Sequence, residues 1–311
     1  MRLVFLGTPA FAVPTLERLV ERGHQVLAAV TQPDRPKGRG QALAPPPVKE
    51  AALRLGLAIY QPERVKRPEA VEVLRDLAPD AMVVVGYGQI IPQSVIDIPR
   101  LGILNVHASL LPKYRGAGPI QWAIVNGETV TGVTIMQIDA GLDTGPMLLT
   151  AETAIGAGET APELGRRLSA MGADLLVEAL DGLAAGRISP QPQDNAQATY
   201  APMLKKEDGR IDWNRSAAEI HNQVRGMQPW PGAYTVLRGA ALHIWRARPT
   251  QAGASGAPGT LVRTKPPAVA CGEGVLELVE VQMEGRKRMS AADFANGQRL
   301  AENEVLGGTP V

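Results

Sequence analysis

The chain has 311 residues, 45% of them hydrophobic, enough for two or three domains each with a core of its own. A formal net charge of +1 excludes a uniformly basic body, so any contact with nucleic acid must come from local clusters of Lys and Arg. The single cysteine, Cys271, excludes an internal disulfide and a multi-cysteine zinc site; no metal is expected, and a reducing cytoplasm fits.

The apolar run from Leu3 to Leu6 breaks at Gly7-Thr8-Pro9, too short for a signal peptide, and reads as a first strand. No apolar stretch approaches the roughly 18 residues that span a bilayer, so a soluble protein is expected. Phe11 to Glu21 reads as a helix with Leu16, Leu19 and Val20 on one face, and Val26 to Val30 as the next strand of a βαβ unit. The strand-to-helix turn Gly7-Thr8-Pro9-Ala10 lacks the second and third glycines of Gly-x-Gly-x-x-Gly, which argues against a dinucleotide cofactor and a dehydrogenase. Residues 32 to 47 read as one long loop carrying Arg35, Lys37 and Arg39 among glycines and prolines. A loop of that length is functional, disordered or a solvated surface.

Helices are expected over 49 to 55 and 69 to 77, with strands at 58 to 60 and 81 to 85. Ala81 to Val85 is wholly apolar, as a central parallel strand should be, and runs into the loop Gly86-Tyr87-Gly88-Gln89-Ile90. A further apolar run, Ile103 to Val106, brings Asn105 and His107 to the start of a Pro/Gly-punctuated loop. Residues two apart on a strand share a face, so these side chains project together at a carboxyl edge, where open α/β sheets place ligands. Asn can donate to an oxyanion and His titrates near neutral pH, although a lone His at the end of an apolar run is more often structural. Residues 133 to 146 repeat the layout, a β-branched run and then a glycine-broken loop with Asp139 and Asp143. An Asp near a His can fix its tautomer, keep it protonated or relay a proton.

Gly118 to Val125 reads as a helix, Thr131 to Ile138 and Met147 to Ile155 as β-structure, and Thr160 to Ala185 as one long amphipathic helix. Its buried face is marked by Leu164, Leu168, Met171, Leu175 and Leu183. A polar, proline-bearing connector follows. Beyond it come a helix at 217 to 225 and strand-like runs at 234 to 237, 241 to 245, 260 to 263 and 274 to 281, which suggest a small β-barrel. The domains are placed at 1–188 and 207–311 with a linker at 189–206.

Asn105-x-His107-x-Ser-Leu-Leu-Pro, then Arg115-Gly116, then Gly141-Leu142-Asp143-Thr144-Gly145, resembles the folate-dependent formyltransferases. Gly7-Thr8-Pro9-x-Phe11-Ala12, the Gln32 to Gly40 stretch and Trp230-Pro231 are similar to those members of the family that act on an aminoacyl-tRNA. The resemblance implies an α/β fold, a Rossmann-like N-terminal formyltransferase domain with a smaller C-terminal oligonucleotide-binding-like β-barrel domain. It implies 10-formyltetrahydrofolate as co-substrate, the α-amine of initiator methionyl-tRNA as acceptor, and a cytoplasmic monomer. Asn105, His107 and Asp143 would be catalytic. Ser109, Leu110, Leu111, Pro112, Gly86, Tyr87, Gln89, Ile90 and Ala140 would hold the folate. Arg35, Lys37 and Arg39 would meet the acceptor end of the tRNA. Phe11 would be a candidate for the methionine pocket, and Arg246, Arg248, Arg263, Lys265 and Arg286-Lys287-Arg288 would give the second domain a basic face. A formyltransferase acting on an amino sugar or glycinamide ribotide, or a formyl-folate hydrolase, would share the catalytic trio; a non-catalytic RNA-binding protein would leave it without a role.

Overall fold

The computed structural model describes residues 1–37, 42–250 and 256–307. The chain divides into two compact units: Met1–Gly116, Val130–Thr153 and Gly165–Ala201 form the first, and Ala117–Thr129, Ala154–Leu164 and Pro202–Val311 the second. Of the stretch read as a linker, the residues through Ala201 belong to the first unit and those from Pro202 to the second.

In chain order the first unit begins with β1 (Arg2–Gly7), α1 (Val13–Glu21) and β2 (Gln25–Val30). Then come β3 (Arg35–Lys37), β4 (Ala42–Ala44), α2 (Pro47–Arg54), β5 (Ile59–Tyr60), α3 (Pro68–Asp76), β6 (Ala81–Val85), α4 (Gln93–Ile96), β7 (Ile103–His107) and β8 (Arg115–Gly116). The short α5 (Pro119–Val125) belongs to the second unit, after which β9 (Val130–Gln137), β10 (Met147–Ala154), α6 (Ala161–Ala184) and β11 (Tyr200–Ala201) follow.

The main sheet has the order β10-β9-β7-β6-β1-β2-β5. From β5 to β7 all pairings are parallel, and β9 runs antiparallel to β7. Strands buried on both faces are apolar throughout: Leu3 to Leu6 and Ala81 to Val83 have no exposed surface. The chain winds outward from β1 through β2 to β5, then returns to lay β6 and β7 on the other side. The order thus reverses between β1 and β6, which is the topological switch point where such sheets bind ligands. Gly7 pairs with Val85 there, and an added Cβ at Gly86 would come within 2.9 Å of the Pro9 ring.

The loop expected over 32 to 47 contains a hairpin, with Arg35↔Ala44 and Lys37↔Ala42 in register. Its base is fixed by polar bonds rather than by apolar packing, which is why hydrophobic periodicity does not show it. Lys49 Nζ donates to both Asp34 carboxylate oxygens, at 2.8 and 2.7 Å, and Gln61 donates to the same carboxylate at 2.8 Å. The bonds from Gln61 and then Lys49 hold the Asp34 carboxyl below the usual carboxylate range.

Helix α6 shows a second departure. Its buried row is Leu164, Leu168, Leu176 and Leu180, with Met171, Leu175 and Leu183 only partly covered. Gly172 completes that i,i+4 row, and an added Cβ there would lie 2.5 Å from Val106 Cγ1 and 3.3 Å from Val133 Cγ1. The helix meets the sheet at a residue with no side chain, which a count of apolar residues does not register. Gly172→Ala is expected to lower stability by about 1–3 kcal/mol through overpacking, seen as a lower urea midpoint at unchanged slope. An unchanged midpoint would show that the helix rides outward freely.

The second unit contains α7 (Ala217–Gly226), β12 (Ala233–Leu237), β13 (Ala240–Thr250), β14 (Leu261–Thr264), β15 (Pro267–Ala270), β16 (Val275–Met283), β17 (Met289–Ser290) and α8 (Ala291–Gln298). Its sheet runs β12-β13-β16-β15-β14, with β17 added to β16. Among the described residues no pairing joins β12 to β14, so the sheet is not the closed barrel expected from its short strands. Strand β15, which opens on Pro267, and helix α8 add to the expected elements. Trp213, Ile220, Val224, Leu242, Ile244 and Phe294 belong to its core. The first turn of α7 carries a reciprocal Ser216/Glu219 capping box. Bonds from the Ser216 backbone and hydroxyl, and from Arg215, pull the Glu219 carboxyl down to about 2.

Candidate active site

The three residues expected to be catalytic lie in the first unit. Strand β7 fixes two of them, since it is paired on both sides: Asn105 stands between Val84 and Met136, and His107 opposite Thr134. Asn105 is partly exposed and its side chain makes no hydrogen bond among the described residues, so its amide N–H groups are available to a ligand. His107 is 6% exposed, and its Nε2 lies 3.0 Å from the Tyr114 carbonyl oxygen. A carbonyl only accepts, so Nε2 carries a hydrogen. Nδ1 faces Asp143 Oδ2 at 3.7 Å, too long for a hydrogen bond and close enough for Coulombic attraction.

Asp143 arrives by a route the sequence does not suggest. Because β9 runs antiparallel to β7, its carboxyl end at Gln137 lies beside Leu104, not beside His107. The two loops do not leave matching strand ends; the second doubles back to deliver its carboxylate. Asp139 holds the turn together, its Oδ1 accepting from Gly141 N at 3.0 Å and Thr144 Oγ1 at 2.7 Å. Asp143 itself has a left-handed backbone, φ +52°, and its Oδ2 accepts from Gly116 N at 2.8 Å. An added Cβ at Gly116, φ +118°, would sit 2.6 Å from the Ala201 carbonyl oxygen, so only glycine lets the 115–116 strand pair with β11 at this point.

The segment between, Ser109 to Pro112, is folded on Thr134. The Thr134 hydroxyl donates to the Ser109 carbonyl at 2.7 Å and accepts from Leu111 N at 3.1 Å. The Ser109 hydroxyl is buried and donates to the Lys113 carbonyl at 2.6 Å, while Leu110 and Pro112 are half-buried and Leu111 is buried. On the loop after β6, Gly86 and Gly88 are exposed and Ile90 is 90% exposed. The Tyr87 side chain turns the other way, into the core with Leu6, Met82 and Ile103, and burial pushes its hydroxyl up to about 12. Gln89 braces the neighbouring loop, accepting from Val65 N at 2.8 Å and donating to the Glu63 carbonyl at 3.1 Å. Ala140 and Leu142 are exposed on the Asp143 loop.

Of the cations expected to meet RNA, Arg35 is exposed on the hairpin, Lys37 is described by its backbone only, and Arg39 lies outside the described residues. Phe11 is half-buried. In the second unit Arg248 and Arg263 converge on Glu277, at 2.6 and 2.9 Å, and Arg288 stacks 3.5 Å above Trp245. Three members of the expected basic face are thus already paired, leaving Arg246, Lys265, Arg286 and Lys287 exposed.

Residues 1–180 match the family model described as formyl transferase, and residues 203–299 match the model of its C-terminal domain. The methionyl-tRNA formyltransferase of Solibacter usitatus is 69% identical over 307 residues, covering 99% of both chains. The chain belongs to the methionyl-tRNA formyltransferase family. The enzyme of the same name from Citrifermentans bemidjiense is 54% identical over 99% of this chain and 96% of that one. Solved structures share the fold at lower identity. The sugar 3N-formyl transferase WlaRD matches with a TM-score of 0.67 at 18% identity, covering 92% of this chain and 99% of that one. HypX from Aquifex aeolicus matches with a TM-score of 0.66 at 18% identity over 98% of this chain, which spans only 48% of the HypX chain.

Several residues that build the site in this family member carry no signal of their own in the sequence. Gln193 and Thr199 lie in the stretch that reads as a connector, yet Thr199 Oγ1 accepts from Tyr114 N at 2.9 Å and Gln193 donates to the Asp143 loop. Thr134 was legible only as a strand residue. The two glycines beside Asp143 hint at a tight loop, and nothing in their spacing reveals which segment closes over it.

Proposed function

We propose that the chain transfers the formyl group of 10-formyltetrahydrofolate to the α-amine of methionine esterified to initiator tRNA. The observation that carries the chemistry is that Asn105 and His107 at the end of β7 lie in one unit with Asp143, which the loop after β9 brings back beside His107. The neutral amine attacks the formyl carbon. The carbonyl electron pair moves onto oxygen, and Asn105 donates to that oxyanion. His107, its Nε2–H held by the Tyr114 carbonyl, turns its Nδ1 edge, beside Asp143, toward the same charge. Asp143 takes up the proton lost by the attacking nitrogen, directly or through water, and that proton passes to N10 as the C–N10 bond breaks.

The folate, a co-substrate, lies along the carboxyl edge. Glycine backbone at 86 and 88 reads its polar ring edge, and the exposed apolar Ile90 and Leu142 supply contact surface. HypX, a structural neighbour of the same fold, has been solved in complex with tetrahydrofolic acid, which supports a folate here. The hairpin at 35–44 enters the acceptor end of the tRNA, and the second unit, taken as an oligonucleotide-binding-like module, contacts its body. The enzyme acts as a cytoplasmic monomer and uses no metal.

The test is formyl transfer from 10-formyltetrahydrofolate to four acceptors: charged initiator tRNA, uncharged tRNA, free methionine and an amino sugar. Formylation of the charged tRNA alone is the expected result. Folate turnover without tRNA product would move the function to a sister enzyme or a hydrolase. In the same assay Arg39→Ala is expected to raise KM for tRNA by about tenfold or more while leaving folate affinity unchanged, because one phosphate or base contact is lost. Equal damage to both substrates would point to misfolding instead.

A further inference from the structure

Arg115 is 3% exposed, yet no carboxylate among the described residues pairs with it. Its guanidinium is held by neutral amides: Nε and Nη2 donate to Gln193 Oε1 at 3.1 and 2.7 Å, and Nη2 donates to Asn195 Oδ1 at 2.8 Å. A buried cation without a counter-charge is unfavourable unless its hydrogen bonds are well made, so this one serves some purpose other than ion pairing. The other side of the Gln193 amide shows what it is. Gln193 Nε2 donates to the Asp143 carbonyl at 2.8 Å and to the Gly145 carbonyl at 2.7 Å.

Both lone pairs of the Gln193 oxygen and both its N–H groups are therefore used. The amide cannot be turned over, since a flip would set its N–H groups against the guanidinium and its oxygen against two carbonyls. These bonds grip the backbone of the loop on either side of Thr144. Asp143 needs such a grip, because a non-glycine residue at φ +52° is unfavourable unless its surroundings determine it. The Gly116 N–H, one residue from Arg115, holds the carboxylate itself at 2.8 Å.

We propose that Gln193, oriented by the buried Arg115, is a positioning residue for formyl transfer that sets the Asp143 carboxylate against His107 without touching substrate. The inference rests on the reading of Asp143 as the group that handles the proton. Glutamine is the residue the position demands: it must accept from a cation on one side and donate to two carbonyls on the other.

Gln193→Glu separates positioning from scaffolding. The carboxylate pairs with Arg115 at least as well as the amide does, but it presents an oxygen to the carbonyls of residues 143 and 145 and pushes the loop away. A displacement of about 1 Å at a reacting group can lower turnover by as much as about 100-fold. The expected result is a melting temperature close to that of wild type, KM for tRNA within about threefold, and kcat with saturating folate lower by at least about tenfold. Gln193→Ala provides a second variant if the first does not fold, with the same split expected. A double-mutant cycle with Asp143→Asn is the decisive readout. Adding Gln193→Glu to Asp143→Asn should slow single-turnover transfer by less than about twofold further, because both act on one group. Multiplicative losses would overturn the inference, as would a folded Gln193 variant with kcat within about twofold of wild type. If Asp143→Asn alone left transfer intact, the underlying reading of Asp143 would fail instead, whatever Gln193 does.

Discussion

Asn105→Ala is expected to lower kcat by about 100- to 1000-fold while KM for folate and tRNA stays within about threefold, the usual result of deleting one oxyanion donor. The strand would survive the change. Asn105 is paired through its backbone on both sides, and its side chain makes no bond inside the described protein whose loss would disturb β7. What disappears is a donor that matters only when the formyl oxygen becomes negative, so the loss belongs to kcat rather than to binding. Steady-state kinetics with each substrate varied in turn measure it. A variant within threefold of wild type would remove Asn105 from the chemistry.

Asp143→Asn should be as damaging, with kcat reduced by about 100-fold or more, since a positioned acid or base contributes on the order of 100- to 10,000-fold. Asparagine is the informative replacement. It tolerates the left-handed backbone that Asp143 adopts, and its side-chain oxygen can still accept from Gly116 N. The loop therefore keeps its shape and loses only the charge beside His107 and the capacity to take a proton. Alanine would mix that effect with backbone strain. Retained turnover in Asp143→Asn would mean that the carboxylate is a structural brace.

The parallel core was legible because each of its strands is a short apolar run between turn residues, and Ala81–Val85 coincides with the expectation. Asn105 and His107 were legible because strand alternation places them on one face. The route of Asp143 was not. It depends on β9 reversing direction, and hydrophobic pattern says nothing about whether a neighbour runs parallel or antiparallel. The closing segment was hidden for a different reason: Gln193, Asn195 and Thr199 act through side-chain hydrogen bonds over 48 to 85 residues of sequence, and polar composition there reads as linker. Glycine concealed two contacts as well. At Gly172 the helix touches the sheet through a missing side chain, and at Gly116 a strand pairing exists only because no Cβ intervenes. In the second unit the charges that suggested a basic face are partly spent on Glu277 and Trp245, a pairing that residue counts along the chain cannot show.

The measurement that bears most directly on the site is single-turnover formyl transfer to methionyl initiator tRNA by His107→Gln beside wild type, with both substrates saturating and their binding measured separately. The imidazole sits between the Tyr114 carbonyl and Asp143, so its replacement removes the two ring nitrogens that face them without emptying the space. Binding is expected to be unchanged and transfer slowed by at least about 100-fold. Transfer at the wild-type rate would contradict this expectation, and would place the chemistry somewhere other than the end of β7.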